Sequence, residues 1–442
     1  MKIISSLFRK KLPVTMPRDG HTMSRNKIDR SVLDIMGRLR GNGFDAYLVG
    51  GCVRDLLLGK TPKDFDIVTN ARPQQIKRLF RRCFLIGRRF RLAHVYISHD
   101  RFIEVATFRA AVDPDQQAAE GQGRFAANNV YGTIEEDVHR RDFTVNGLYY
   151  NSANGSIVDY NGGLDDLKKK ILRSVGDPMV RYREDPVRII RAARFCAQLG
   201  LKPSRRDMKA ALSRASMITQ ANAHRMLEEL YKILRCGASA GTFENLKKFG
   251  VLKHWIPEIE PDRHPGLLPR LAVVDGRRLT GEEIPAAVLL AVLFFDLFEE
   301  AMGDKRGFQD AFNVMHQSFN DLVARLKIPR REWDAISNLV ARQSSLARIP
   351  DPKKGKGFEK RFVRNAHFPN ALMFFEITSR ASGTHEAELA YWQERGAASR
   401  RDGGKSGVSG EERHSAGGVP QRDRGAPRRK RYRRPARPAG NS

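Results

Sequence analysis

The chain has 442 residues, with 79 Lys and Arg against 50 Asp and Glu, a formal charge of +29. That length gives room for two to four compact units with a sizeable core, and the charge favours a polyanionic partner, nucleic acid before membrane. Four cysteines (Cys52, Cys83, Cys196, Cys236) lie far apart without a CxxC pair, against a disulfide framework or zinc site and in keeping with a reducing cytoplasm, and no stretch nears the roughly twenty apolar residues that cross a bilayer.

Residues 1–25 are basic, lack a continuous signal-peptide core and read as a flexible arm, with peripheral membrane association left open. An amphipathic helix follows, built on Ile28, Val32, Leu33, Ile35, Met36 and Leu39. Residues 46–49 form a strand ending in Gly50-Gly51, and residues 53–58 a short helix closed by Gly59. The run Asp64-Phe65-Asp66-Ile67-Val68-Thr69 is a strand, after which Thr69 or Asn70 caps a helix with Pro73 in its first turn. Further strands are expected at 93–98 and 102–108, and the polar segment 110–129 reads as a mobile loop.

From residue 176 the strand signals fade. Helices are expected at 184–199, 206–214, 223–235, 242–249, 283–297, 305–326, 331–345 and 367–381. Residues 396–442 turn to Gly, Ser, Arg and Pro, with thirteen Lys or Arg against four Asp or Glu, and are expected to be disordered. The fold class is α+β, a small mixed sheet with helices against it and an all-helical region behind.

The chemistry begins at Asp64 and Asp66. Side chains two apart on a strand share a face, so both carboxylates point together while Phe65 and Ile67 turn to the core. Two hard oxygen ligands beside the Gly50-Gly51 turn suit Mg²⁺-assisted phosphoryl or nucleotidyl transfer. Glycines let backbone N–H groups approach a phosphate at the helix start, and Arg54 adds charge. Each feature has a bland alternative: a structural turn for the glycines, a solvated strand edge for the acids. Strand alternation puts Glu104 opposite Ile103 and Val105 as a possible third carboxylate, and Asp142 is a second candidate. Arg140, Arg141 and Asn146 carry donors suited to a triphosphate or ribose, or else form an ion-pair network with Glu135, Glu136 and Asp137. In Glu184-Asp185-Pro186-Val187-Arg188, Pro186 starts a helix capped by Asp185, with Arg188 and Arg191 one turn apart. A carboxylate beside a guanidinium can read the edge of a base, or simply pair at a helix start.

In order, Gly-Gly-x-Val-Arg-Asp (50–55), Asp-x-Asp (64–66), Arg-Arg-Asp-Phe-Thr-x-Asn (140–146) and Glu-Asp-Pro-x-Arg-x-x-Arg (184–191) resemble the class II template-independent nucleotidyltransferases, the superfamily of bacterial poly(A) polymerases and tRNA CCA-adding enzymes. Residues 85–95, Pro17-Arg18-Asp19-Gly20-His21 and the Arg-rich terminus resemble the polymerase branch. The resemblance implies a nucleotidyltransferase head over 26–175, a helical neck with a base-selecting motif over 176–240, a helical body over 241–395 that binds RNA, and the tail. Asp64 and Asp66 would hold two Mg²⁺ ions, with Mn²⁺ as an alternative, and Asp142 would be a further catalytic carboxylate. Gly50, Gly51, Arg54, Arg141 and Asn146 would receive the triphosphate; Asp185 and Arg188 would select the base with Arg191 nearby. Glu104 comes from strand geometry alone.

The implied reaction is transfer of AMP from ATP to an RNA 3′-hydroxyl with release of pyrophosphate, a tailing linked to mRNA processing and decay. RNA would be held mainly through its phosphates by Lys- and Arg-rich helices and the tail, where Tyr432 interrupts the basic run 428–434. The alternatives are a tRNA CCA-adding enzyme, which shares every residue named, and a non-catalytic RNA-binding protein with an inert head.

Overall fold

A computed structural model describes residues 13–87, 92–110, 131–304, 307–351 and 356–405. The expected loop over 111–129, residues 88–91 of the polymerase-like segment, and the tail beyond 405 with its 428–434 run lie outside the described residues.

The strands are β1 (Val14–Met16), β2 (Ala46–Val49), β3 (Asp66–Thr69), β4 (Cys83–Ile86), β5 (Leu92–Tyr96), β6 (Phe102–Thr107), β7 (Leu148–Asn151) and β8 (Ser156–Asp159). They make one sheet in the order β1-β8-β7-β2-β3-β6-β5-β4. Only β3 and β6 run parallel among its neighbours. The helices Arg30–Gly41, Gly51–Leu57 and Pro73–Leu79 bury Val32, Met36, Val53 and Ile76 against one face, over Leu48, Ile67 and Val105. On the other face a smaller cluster of Val49, Val68, Phe108, Val138 and Tyr149 lies under the helix Ile134–Arg140. Among the described residues the rest of that face stays open, and the acidic residues sit there.

Five expectations are corrected. The arm is not free from residue 13 onward: Val14, Thr15 and Met16 pair antiparallel with Asp159, Val158 and Ile157, and the His21 ring bonds the Gly155 carbonyl oxygen at 2.8 Å. A three-residue strand is too short to show period-two patterning. The expected helix 184–199 is two helices, Pro178–Glu184 and Val187–Leu199, because Pro186 has no N–H to continue the first. Pro186, with φ −61° and ψ −22°, is the N-cap of the second helix and no side chain caps it, so Asp185 is not the cap.

The long helices expected at 283–297, 305–326 and 331–345 each break, at Phe294, Phe319 and Arg342, whose backbones lie near the bridge region. The apolar face continues across each bend, so the sequence period does not reveal it. Residues 305 and 306 of the second lie outside the described residues. The helix Glu386–Lys405 also runs past residue 396, where a Cβ on Gly396 would stand 3.1 Å from the Phe368 ring, so the missing side chain permits close packing.

The helical region shares one core from Phe143 to Trp392. Phe143, Val145, Leu167 and Leu172 of the head belong to it, and Ile171–Leu172 pairs with Lys202–Pro203, so the head's last segment is packed into the helices behind it. Val288 to Leu293, apolar on every side, are all buried within the helix Ala286–Leu293.

Candidate active site

Antiparallel pairing sets Val49, the last residue of β2, opposite Asp66, the first of β3. The Gly50-Gly51 turn therefore leaves the sheet directly beside Asp66. Gly50 has φ +81° and ψ −139°, backbone that a side chain strains, and its Cβ position lies 3.9 Å from the Asp66 carboxylate and 3.6 Å from the Arg141 guanidinium. Gly51 opens the helix Gly51–Leu57, whose first N–H groups have no intrahelical acceptor. Cys52 is buried and donates its thiol to the Val49 carbonyl.

Asp64 lies just before β3 rather than within it, and both acids line a cavity of about 450 Å³ with Lys63, Arg101, Phe102 and Glu104. The parallel register sets Glu104 beside Asp66, so the strand argument places it on the correct face. Its carboxylate is 3.5 Å from the His94 ring. Burial pushes the Asp66 carboxyl up to about 6; Glu104 and Asp64 add repulsion and Arg141 opposes them. A second cavity, of about 470 Å³, lies in the helical body and is lined by one carboxylate, Glu299. The acidic cavity is the chemically equipped one.

The four arginines and their partners divide differently from expectation. Arg141 donates to Asp137 and to the Tyr149 hydroxyl, both at 2.9 Å, and Tyr149 donates to Asp137, leaving Nη1 toward Gly50. Of the two readings of that segment, the ion pair with Asp137 is present and orients the guanidinium at the site. Arg54 is buried and committed to Asn146 (2.6 Å) and Asp55 (2.7 Å), with its plane over Phe195, so it is an internal strut. Asn146 passes the connection on, donating to Asp142 at 3.0 Å.

Asp142 does not join Asp64 and Asp66. It accepts from the Phe143 N–H, from Asn146 and twice from Arg191, which in turn reaches Glu229 at 3.3 Å. Burial alone would raise its pKa, but the Arg191 charge and the hydrogen bonds hold it at about 2. Arg54, Arg191 and Arg194 all lie within 5.5 Å of the Phe195 ring. Asp185 and Arg188 do not pair through their side chains. Arg225 clasps Asp185 with two bonds (2.8 and 3.2 Å), while Arg188 bonds the Arg181 carbonyl and Glu184.

Asp137, Tyr149, Phe195, Arg225 and Glu229 were not among the expected site residues. The Asp137–Arg141 spacing of four on one helix turn was the legible signal. Arg225 and Glu229 come from the helix Ala223–Arg235, and nothing near them in sequence announces Asp185 or Arg191.

Among the described residues no three His, Cys, Asp or Glu side chains form a metal-holding group. Two crowded carboxylates still fit a hard cation, because Mg²⁺ is commonly held by one or two carboxylates with phosphate oxygens supplying the rest. Burial first, and then repulsion from Glu104 and Asp64, raises the Asp66 pKa, and a cation held there would offset both.

An acidic pair at the start of a strand, beside a glycine turn and ahead of an all-helical region, defines a nucleotidyltransferase. Residues 46–173 match the Poly A polymerase head domain, and residues 204–263 a probable RNA and SrmB-binding site of polymerase A. The chain is 36% identical to poly(A) polymerase I of Salmonella typhi over 85% of its own length and 84% of that protein. It is 34% identical to a CC-adding tRNA nucleotidyltransferase of Halalkalibacterium halodurans over 54% of its length and 60% of that protein. Its fold matches the Bacillus stearothermophilus CCA-adding enzyme in complex with CTP at a TM-score of 0.61, with 24% identity over 85% of this chain and 83% of that one. The chain belongs to the bacterial poly(A) polymerase family. Nucleotidyltransferases of this kind use divalent metal ions.

Proposed function

We propose that this chain transfers AMP from ATP to the 3′-hydroxyl of RNA, without a template and with release of pyrophosphate. The observation that carries it is Asp66 at the start of β3, beside the Gly50-Gly51 turn and Asp64, with a carboxyl pushed up to about 6. The likeness to poly(A) polymerase I over most of both chains supports adenosine over cytidine.

Asp64 and Asp66 would hold Mg²⁺, two ions in the expected form or Mn²⁺ in their place, which supply charge to the attacking and leaving oxygens. The same carboxylates face the hydroxyl whose proton must leave. The N–H groups at Gly51 and the open edge of the Arg141 guanidinium face the triphosphate. Arg54, Asn146, Asp142 and Arg191 hold the head against the neck and keep that floor rigid. To read adenine, Asp185 must be released from Arg225, which makes base selection a rearrangement rather than a preset pair. The helices and basic tail follow RNA phosphates without reading sequence.

The test supplies an RNA primer, and separately a tRNA lacking its 3′ end, with ATP alone or with all four nucleotides. Long adenosine tails on the primer are expected. CTP incorporation that stops after a few residues would identify a CCA-adding enzyme instead. Asp64→Asn and Asp66→Asn should each abolish incorporation with the fold intact; full incorporation by either would overturn their assignment as the reacting centre, whereas an Asp64→Ala chain that keeps full activity in cells would point to an RNA-binding role.

A further inference from the structure

The open face of the sheet continues beyond the carboxylates as a strip of rings. Register places Glu104 beside Asp66, His94 beside Glu104 and Phe84 beside His94, one row across β3, β6, β5 and β4. The adjacent row pairs Phe102 with Tyr96. Alternation sends all of these side chains to one face, away from buried Ile103, Val105, Ala93 and Val95. The rings of His94 and Phe102 stack, with centroids 4.0 Å apart and planes 7° from parallel. Tyr96 lies 5.5 Å from both Phe102 and Phe84.

Two of these rings face water, while the His94 side chain is 15% exposed and lies stacked against Phe102. Phe84 is 60% exposed and Phe102 38%, and Ile86 beside them is 46% exposed. Contiguous exposed rings on a strand face mark an interaction surface. Two observations select the occupant. Phe102 lines the acidic cavity as well as the ring strip, so the two surfaces are continuous. Lys63 and Arg101 line that same cavity, Arg101 with its guanidinium paired to Asp29, so Lys63 brings the cation where a polyanion would meet the carboxylates. Three interstrand steps from Asp66 to Phe84 cover roughly 14 Å. The strip offers π-faces rather than an array of hydrogen-bonding edges, and stacking accepts any base.

We propose that the 3′-terminal bases of the single-stranded RNA being extended stack on Phe102, which His94 backs from beneath, and on Phe84, an arrangement that aims the terminal ribose hydroxyl at Asp64 and Asp66. This rests on those aspartates being the reacting centre. It also supplies what a template-independent reaction needs, a purchase on the primer end that ignores its sequence.

The test is an RNA carrying 2-aminopurine at its 3′ end or at an internal position, titrated with the full chain without nucleotide or divalent cation. Stacking should quench the terminal probe and leave the internal one unchanged. The Phe84→Ala/Phe102→Ala double variant should lose the quenching and raise the KM for RNA roughly tenfold, with a much smaller change in kcat and in the KM for ATP. Phe102→Trp should restore the quenching. Both side chains are exposed, and an unchanged melting temperature would show that the fold survives. Terminal quenching that persists in the double variant, or an RNA KM that does not move, overturns the proposal. So does an altered sedimentation coefficient with RNA binding intact, which would assign the strip to protein association. Asp66→Asn separates the two readings: it should remain inactive yet quench the terminal probe, whereas an active Asp66→Asn would sink the assignment of the reacting centre and leave the stacking result standing.

Discussion

Asp142 and Arg191, 49 residues apart, are joined by two hydrogen bonds of 3.0 and 2.5 Å to one carboxylate oxygen. That pair ties the segment entering the neck to the head, and Glu229 closes it from behind. Because both partners are largely buried, Asp142→Ala or Arg191→Ala leaves an uncompensated charge and should cost about 3–5 kcal/mol in urea unfolding. Since the Asp142 pKa is held below the ordinary carboxylate value, its contribution is present above about pH 4 and is lost as pH falls toward about 2. The wild type should therefore lose stability over that window by more than the Asp142→Asn chain does.

Asp66 behaves in the opposite sense. Its folded pKa, about 6, lies above the unfolded one, so ionising it costs stability as pH rises from about 4 to 6. A divalent cation relieves that cost and competes with the proton. Activity should therefore rise with pH through about 6. Mg²⁺ should raise the melting temperature more at pH 7.5 than at pH 5, a difference that Asp66→Asn removes.

Arg225 is the third test. Its pair with Asp185 is half-exposed on the arginine side, so Arg225→Gln should change stability by less than about 1 kcal/mol. Freeing Asp185 should lower the KM for ATP about two- to fivefold, the equivalent of a surface ion pair no longer broken on binding. Steady-state kinetics with ATP and CTP measures both the gain and any loss of discrimination. An Asp185→Ala chain should lose that discrimination outright.

RNA binding should weaken steeply with salt. About six phosphate contacts on a single strand give a slope of log K against log salt near −4, measurable by fluorescence anisotropy between about 50 and 200 mM KCl. Ending the chain after Lys405 removes most of the basic terminal run and should flatten that slope while leaving kcat on saturating primer unchanged.

Local chemistry settled much of this protein in advance. Alternation around Asp66 and Glu104, the Gly-Gly turn at the end of β2 and the apolar period of the helices each depend on neighbours a few residues away, so the elements, the acidic face and the class of reaction were legible from residue order. Tertiary structure alone decided which charges meet. Arg54 went to Asn146 rather than outward, Asp142 to Arg191 rather than to the acidic pair, and Asp185 to Arg225 rather than Arg188. Each of those partners is brought in from another element by burial of the shared core. An arginine's choice among several carboxylates is set by which one packing leaves within about 3 Å, a distance that no sequence spacing encodes.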